Sequence, residues 1–269
     1  MIPNTMSNLS ETFQRVRSGQ RAALIGYLTA GDPDAETSYR ILDAACSAGL
    51  DILELGIPFS DPTADGPVIQ RASKRAIASG MTLAKGLEMV QRLRQKHSLP
   101  VIIFSYYNPI LSMGAETFVR RALAAGADGV LAVDLPSENA AEIMSCVPQS
   151  SAFSFIRLIA PTTDSQRRKI ILSKADGFVY IVSRHGVTGG GSIDWPVLAK
   201  DLEAMRQDTS APLAVGFGVS TEDDVQRASS IADGVIIGSA FQKLVEADPA
   251  AAAENVAALI QTFRQRLKK

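Results

Sequence analysis

The sequence predicts a single (β/α)8 barrel of the TIM type, and three observations lead to that fold class. The chain has 269 residues, close to the ~250 that such a barrel uses. Short apolar segments alternate with amphipathic ones along its whole length, and strands separated by helices form a parallel sheet. No linker divides the chain, which favours a closed barrel over an open doubly wound sheet. One domain is expected, residues 1–269.

The predicted elements follow one another in a regular order. An extra helix at 9–18 has Leu9, Phe13 and Val16 on one face and is expected to cover one end of the core. Strands are predicted at 22–28, 51–55, 100–105, 128–133, 153–159, 177–182, 212–216 and 233–237. Helices are predicted at 35–48, 82–96, 115–125, 137–146, 164–173, 195–206, 221–230 and 250–267, and another opens at Gly238 and Ser239.

Composition argues against several classes of protein. The formal net charge is −1, so no general electrostatic attraction to nucleic acid or to an anionic membrane is expected. No segment offers ~20 uninterrupted apolar residues, and the N terminus lacks the apolar core of a signal peptide. Cys46 and Cys146 lie far apart, without metal-ligand spacing. The sequence therefore predicts a cytoplasmic protein with free thiols and without a metal site.

Two carboxylates between Asp51 and Pro67 are candidate catalytic groups. Glu54 interrupts an apolar strand, and burying an unpaired carboxylate either costs several kcal/mol or raises its pKa. Asp65 lies in a loop restricted by prolines and glycines. Two carboxylates in different surroundings can divide acid and base work between them. From this stretch alone, a structural ion pair at Glu54 and turn or cap roles for Asp61 and Asp65 fit equally well.

Three glycine-rich segments near the last predicted strands indicate phosphate binding. They are GVTGGG at 186–191, GFG at 216–218 and GSAF at 238–241. Glycine lets backbone N–H groups approach an anion closely, and a helix that opens at Gly238 and Ser239 adds its N-terminal dipole. The loops after strands 7 and 8 are the usual phosphate site of a barrel. Each motif alone is more typical of a tight turn, so their common placement carries the prediction.

Apolar side chains at the strand ends predict a flat pocket on the same face. They are Phe104, Tyr106, Leu131, Ile159, Tyr180 and Phe217. For Leu131 and Ile159, a place in the barrel core fits the pattern equally well. His185 in the glycine-rich loop is a candidate base, but nothing places it beside a nucleophile, so a structural role is favoured.

Seven motifs, in order, resemble the tryptophan synthase alpha subunit family along nearly the whole chain. They are YLTAGDP at 27–33, LELGIPFSDPTADGP at 53–67, SYYNP at 105–109, DLPSE at 134–138, APTT at 160–163, GVTG at 186–189 and GFGVS at 216–220. The second motif is highly specific to the family. The resemblance implies a retro-aldol cleavage of indole-3-glycerol phosphate to indole and glyceraldehyde 3-phosphate, without a metal or organic cofactor.

The resemblance also implies roles for individual residues. Glu54 would act as acid and base at the reacting carbons, and Asp65 would accept a hydrogen bond from the indole N–H. Thr188 would order a mobile loop against Asp65. The substrate's ring would contact Tyr27, Phe104, Tyr106, Leu131, Tyr180 and Phe217, with Tyr27 standing where Phe is common. The phosphate would be held by Gly189, Gly218, Gly238 and Ser239.

The partner implied by the resemblance is a pyridoxal-phosphate-dependent tryptophan synthase beta subunit, in an alpha2beta2 assembly. The expected contact surface includes Pro58, Asp61, Pro62 and Asn108. Two departures from the family pattern concern closure of the loop around Thr188: His185 replaces a common Ser or Thr, and Gly190 and Gly191 follow the motif.

Three other functions are open at this point. A phosphosugar isomerase or epimerase would also need phosphate loops, although a metal-dependent epimerase needs His ligands and the chain has 2 His. A barrel kept only for binding is disfavoured by the presence of Glu54, Asp65 and Thr188. A stand-alone lyase that releases free indole fits the sequence as well as a beta-dependent one does.

Overall fold

The structure is a computed structural model that describes residues 8–183 and 193–267. Its strands form one parallel sheet in the order β5-β4-β3-β2-β1-β9-β8-β7-β6. They are Ala23–Thr29 (β1), Ile52–Gly56 (β2), Val101–Ser105 (β3), Gly129–Ala132 (β4), Ser154–Phe155 (β5), Arg157–Ile159 (β6), Val179–Val182 (β7), Leu213–Gly216 (β8) and Gly234–Ile237 (β9). With helices around this sheet, the predicted TIM-type barrel is confirmed.

The barrel closes through one interrupted strand. The sequence predicts a single strand at 153–159, whereas the structure divides it at Ile156 into β5 and β6. β5 pairs with β4 and β6 pairs with β7, so the two ends of the sheet are consecutive halves of one extended segment. The Ile156 N–H still donates to the Val130 carbonyl at 2.8 Å. The structure therefore has nine strands where eight were predicted, because the fifth predicted strand changes its pairing partner partway along.

Helices fill the intervals between strands. They are Asn8–Ser18 (α1), Ala35–Ala48 (α2), Pro67–Ala78 (α3), Leu83–Arg94 (α4), Tyr107–Met113 (α5), Ala115–Ala125 (α6), Ala141–Met144 (α7), Ser165–Ser173 (α8), Trp195–Met205 (α9), Glu222–Ile231 (α10), Ser239–Ala247 (α11) and Ala252–Arg264 (α12), with a 3-10 turn at Ser137–Asn139. In the described part of the chain, each helix is too short or too polar to cross a membrane.

Two helices, α3 and α5, are not predicted from the sequence, because both begin in proline-containing segments. Pro67 occupies the first position of α3, where a missing N–H removes no intrahelical hydrogen bond. Pro109 lies in the first turn of α5, whose N–H groups also lack helical acceptors. The prolines that predicted a continuous loop therefore start helices instead.

The core has an inner and an outer part. Alternate strand residues such as Ile25, Ile52 and Ile102 fill the barrel, and α1 closes it with Leu9 and Phe13. The opposite strand faces pack against the surrounding helices. The covering helix at the amino-terminal end is thus found where it was predicted. That arrangement leaves the carboxyl ends of the strands as the open face.

Candidate active site

A cavity of about 260 Å³ opens at the carboxyl ends of the strands. Most of its lining comes from the ends of β1, β3 and β7, the loop after β8, and the first turns of α3 and α11. The lining residues are Tyr27, Asp65, Gly66, Pro67, Val68, Ile69, Phe104, Tyr180, Phe217, Gly218, Val219, Ser220, Ile236, Gly238, Ser239 and Lys243. An apolar cavity with a few polar groups at its edge is the usual form of a small-molecule site.

Glu54 lies inside the barrel, and in the sheet register it is paired with Tyr27 of β1 and with Ile102 of β3. Side chains alternate along a strand, so Leu53 and Leu55 face the helices while Glu54 faces inward. The residue is 0% exposed, and neither carboxyl oxygen has a hydrogen-bond partner among the described residues. Burial alone raises the pKa of Glu54 to about 8. At neutral pH the group therefore carries a proton that it can donate.

Asp65 lies at the edge of the cavity and is held from two sides. The Tyr106 hydroxyl donates to its carboxylate at 3.0 Å and accepts from the Ala64 N–H at 2.9 Å. From α3, the Gln70 amide donates to the Asp65 carbonyl at 2.9 Å. Burial raises the pKa of Asp65 to about 6, while the hydrogen bond from Tyr106 opposes that rise. Asp65 is therefore mainly ionised at neutral pH, when Glu54 is mainly protonated.

Two tyrosines form the walls between the carboxyl groups. The Tyr27 ring meets the Phe104 ring edge to face, with centroids 5.1 Å apart. A Cβ on Gly56 would lie 2.3 Å from the Tyr27 hydroxyl, and one on Gly216 would lie 2.4 Å from the Tyr180 hydroxyl. Each ring therefore uses space that a glycine on the neighbouring strand leaves empty. Burial is the main cause that raises the pKa of both tyrosines well above its usual value, so both hydroxyls stay protonated.

The other side of the cavity has the features of an anion site. Helix α11 begins at Ser239, and no side chain caps its N terminus at Gly238, so its first N–H groups are available to a ligand. Lys243 lies one turn further along α11 and also lines the cavity. Phe217 has φ 70° and Gly218 has φ 101°, a positive-φ pair in the loop after β8. Such strain at a non-glycine residue is often found at functional sites.

The predicted site residues fall into three groups. Those that line the cavity together are Tyr27, Asp65, Phe104, Tyr180, Phe217, Gly218, Gly238 and Ser239. Glu54, Tyr106 and Leu131 are buried outside its lining: Leu131 belongs to the barrel interior, and Tyr106 binds Asp65. Ile159 belongs to the outer core. Thr188, Gly189 and His185 lie outside the described residues.

Three residues that are not among the predicted site residues also shape the site. Gln70 holds the backbone at Asp65. Ser183, the residue after β7, donates to the Gly216 carbonyl at 2.8 Å and so joins the carboxyl ends of β7 and β8. Lys243 adds a positive charge to the anion side of the cavity. Only Lys243 had a local signal, because it stands four residues, one helical turn, after Ser239 in a predicted helix.

The predicted partner surface is only partly exposed in the isolated chain. Asp61 and Asn108 are exposed, Pro62 is half-buried, and Pro58 is buried. Leu111, on α5 near Asn108, is 59% exposed, the highest value among the exposed large apolar side chains of the described residues. The Phe59 and Tyr106 rings stack with centroids 5.0 Å apart, so the exposed loop is connected directly to the residue that binds Asp65.

The described residues contain no cluster of three or more His, Cys, Asp or Glu side chains suited to a metal ion. The polar groups that the described residues bring to the cavity and its surroundings include the carboxyl groups of Glu54 and Asp65, the hydroxyls of Tyr27 and Tyr180, and the amine of Lys243.

Comparisons with known proteins find similar sequences and structures along nearly the whole chain. A curated tryptophan synthase alpha chain from Desulfosudis oleivorans is 52% identical over 241 residues, 90% of this chain and 91% of the relative. The crystal structure of tryptophan synthase subunit alpha from Legionella pneumophila has a TM-score of 0.87 at 34% identity, covering 97% of this chain and 98% of the other. A chain of Mycobacterium tuberculosis tryptophan synthase has a TM-score of 0.89 at 30% identity, covering 98% and 99%. The family model for the tryptophan synthase alpha chain matches residues 13–269, and by that match the chain belongs to the tryptophan synthase alpha chain family.

Proposed function

We propose that this chain cleaves indole-3-glycerol phosphate through Glu54 and Asp65, in the cavity described above. The reaction is the alpha reaction of the family, which yields indole and glyceraldehyde 3-phosphate. One observation carries the assignment: the cavity has the buried carboxylate of Asp65 on one side and the uncapped N terminus of α11 on the other. A substrate with an aromatic N–H at one end and a phosphate at the other matches both.

Glu54 would be the proton donor and acceptor at the reacting carbons. With its pKa raised to about 8 by burial, it arrives protonated at neutral pH. After its side chain turns toward the cavity, it would protonate indole C3 and then take the proton of the adjacent side-chain hydroxyl. The bond between C3 and the side-chain carbon that carries this hydroxyl then breaks. The electron pair of that bond returns to the indole ring, and the hydroxyl-bearing carbon becomes the aldehyde carbon. The proton count of Glu54 is restored at the end of the cycle.

Asp65 would stabilise the positive charge that protonation of C3 creates on the indole ring. It needs to be ionised for this, and its pKa of about 6 leaves it ionised at neutral pH. A carboxylate that accepts the indole N–H at the edge of an apolar cavity acts where its charge is only partly screened. The different surroundings of Glu54 and Asp65 support acid and base work for Glu54 and charge stabilisation for Asp65.

The phosphate would bind at the N terminus of α11. Gly238 and Ser239 present backbone N–H groups there, and Gly218 lies in the adjacent loop. Lys243 would supply the positive charge. Gly189 and Thr188 are proposed, from the family resemblance alone, to complete this end and to close over the substrate.

We propose further that the chain works with a tryptophan synthase beta subunit, which would receive the indole. The similarity to a chain of Mycobacterium tuberculosis tryptophan synthase supports this, as does the exposed surface formed by Asp61, Asn108 and Leu111. Docking on this surface would restrain the loop that carries Asp65, through Phe59 and Tyr106. A positioned loop increases the fraction of molecules in the reactive arrangement.

The experiment is an assay of the purified chain on indole-3-glycerol phosphate, with and without the cognate beta subunit. Indole formation in either condition supports the lyase, and a faster rate with the beta subunit supports the assembly. Asp61→Ala should weaken the activation more than the basal rate. Glu11→Ala, on α1 at the opposite end of the barrel, is the control and should leave both unchanged. Equal rates with and without the beta subunit, and no association at micromolar concentrations, would favour a stand-alone lyase.

A further inference from the structure

Helices α3 and α11 are joined by a network of charged and polar side chains behind the cavity. Its five members, which we call the brace, are Asp32, Arg71, Arg75, Gln242 and Glu246. Arg75 donates from Nε and Nη2 to the two Asp32 oxygens at 2.7 and 2.9 Å, and from Nη1 to Glu246 at 2.9 Å. Arg71 makes a second two-point contact with Glu246 at 2.6 and 2.7 Å. The Gln242 amide donates to Asp32 at 2.7 Å.

The brace also reaches the barrel wall and the far end of α3. Gln242 Oε1 accepts from the Thr29 N–H at 3.2 Å, at the last residue of β1. Ser79, just after α3, donates to the Gly31 carbonyl at 3.1 Å. The loop after β1 is therefore held between the two helices. A slide of one helix along the other would therefore disturb the two-point contact between Arg71 and Glu246.

The charge at the centre of the brace is buried. The Asp32 side chain is 0% exposed, whereas those of Arg75 and Glu246 are each 30% exposed. Removing a carboxylate from water is costly, and well-packed apolar side chains commonly stabilise a fold as much as a buried ion pair does. What a two-point guanidinium contact adds is a fixed distance and orientation between the groups it joins. This favours a positioning role over a purely stabilising one.

Both braced helices present their first turns to the cavity. Asp65 lies two residues before α3, and Gln70 of α3 donates to its carbonyl. Ser239 begins α11. At about 1.5 Å per residue, Arg71 lies only about 6 Å along the axis from the first residue of α3. A shift of α3 against α11 would therefore change the separation between Asp65 and the anion side of the cavity almost directly.

We propose that the brace sets this separation and so allows one substrate to engage Asp65 and the N terminus of α11 at the same time. The inference rests on the proposed function, since it concerns the same cavity. Its members are positioning residues that act through α3 and α11. A ligand that spans both ends depends on their spacing, whereas a ligand that occupies one end does not.

The test compares a spanning ligand with its two halves. Indole-3-propanol phosphate carries the ring and the phosphate, while indole and glycerol 3-phosphate each carry one. Dissociation constants are measured by calorimetry or by nuclear magnetic resonance titration, without turnover. In Glu246→Gln, which leaves the buried Asp32–Arg75 pair in place, affinity for the spanning ligand should fall by about 5-fold or more, a typical coupling between two sites. Affinities for indole and for glycerol 3-phosphate should each change by less than about twofold, within the usual scatter of independent sites.

Arg75→Lys is the second variant, because it keeps the positive charge and removes the two-point contact. It should show the same selective loss, together with a fall in kcat/KM for indole-3-glycerol phosphate. Arg92→Lys is the matched control: Arg92 makes an equally short two-point contact with the exposed Glu36, away from the cavity. The proposal would be overturned if affinity fell equally for all three ligands, or if a folded variant lost no affinity for the spanning ligand. Wild-type turnover tests the proposed function separately.

Discussion

Replacing Glu54 by Gln should abolish most activity while leaving the fold as stable as before or more so. The substitution keeps the shape of the side chain and removes its proton. Loss of a general acid or base typically lowers turnover by about 10² to 10⁴-fold. At neutral pH the native side chain is already uncharged, since burial raises its pKa to about 8. Gln therefore replaces one neutral buried group by another.

The difference in the free energy of unfolding between Glu54→Gln and the wild type should depend on pH in a defined direction. The pKa of Glu54 is about 8 when folded and about 4.5 in an exposed reference state. A group with a raised folded pKa contributes its full stability below the unfolded pKa and loses it as the pH rises through the folded pKa. The wild type should therefore lose stability between pH 4.5 and about 8, and the Gln variant should lack this loss. Between about pH 5.5 and about pH 8.5 the gain of the variant over the wild type should grow by about 3 kcal/mol.

Urea unfolding at these two pH values gives the free energies, and an indole-formation assay gives the turnover. Glu36→Gln is the control, because Glu36 is exposed, forms an ion pair with Arg92 and lies away from the cavity. It should leave turnover unchanged. Two results would refute the reasoning: ordinary turnover in Glu54→Gln, or a stability difference that stays constant with pH.

Two other predictions concern the two ends of the cavity. Tyr106→Phe removes the hydrogen bond that lowers the pKa of Asp65, so the acidic limb of the pH profile of kcat/KM should move to a pH above about 6. If that limb does not move, the titration of Asp65 is not its cause. Lys243→Met should raise KM for indole-3-glycerol phosphate and reduce the salt dependence of kcat/KM, because it removes a positive charge beside the anion side. An unchanged KM at low salt would place the phosphate away from α11.

The barrel and its chemistry were predictable where the signal is local. Short apolar runs located the strands of the described residues, and the carboxyl group of Glu54 within such a run indicated a raised pKa. The helices α3 and α5 were missed because proline is read as a loop signal unless its position relative to the helix start is known. The division of a strand at Ile156 depends on which neighbours it pairs with, and no local pattern records that.

Contacts between distant segments account for what else the sequence did not predict. The hydrogen bond from Gln242 to Asp32 joins residues 210 positions apart, and that from Tyr106 to Asp65 joins residues 41 apart. Tyr106 is predicted to contact the substrate, and its hydrogen bond to Asp65 adds a contact that the sequence did not indicate. Side-chain type and strand position indicated the region of the fold in which Tyr106 lies, but not the residue to which it is hydrogen-bonded.

The two glycines behind the tyrosines have a consequence for how the shape of this cavity can change. Gly56 faces Tyr27 and Gly216 faces Tyr180, each at a separation that leaves no room for a methyl group. The sizes of the two members of each pair are therefore linked. A larger residue at 56 or 216 would push the ring toward the cavity, and a smaller residue at 27 or 180 would relieve it. Natural variation and laboratory selection for altered substrates should accordingly change these positions in pairs, with single changes appearing only as transient, impaired steps.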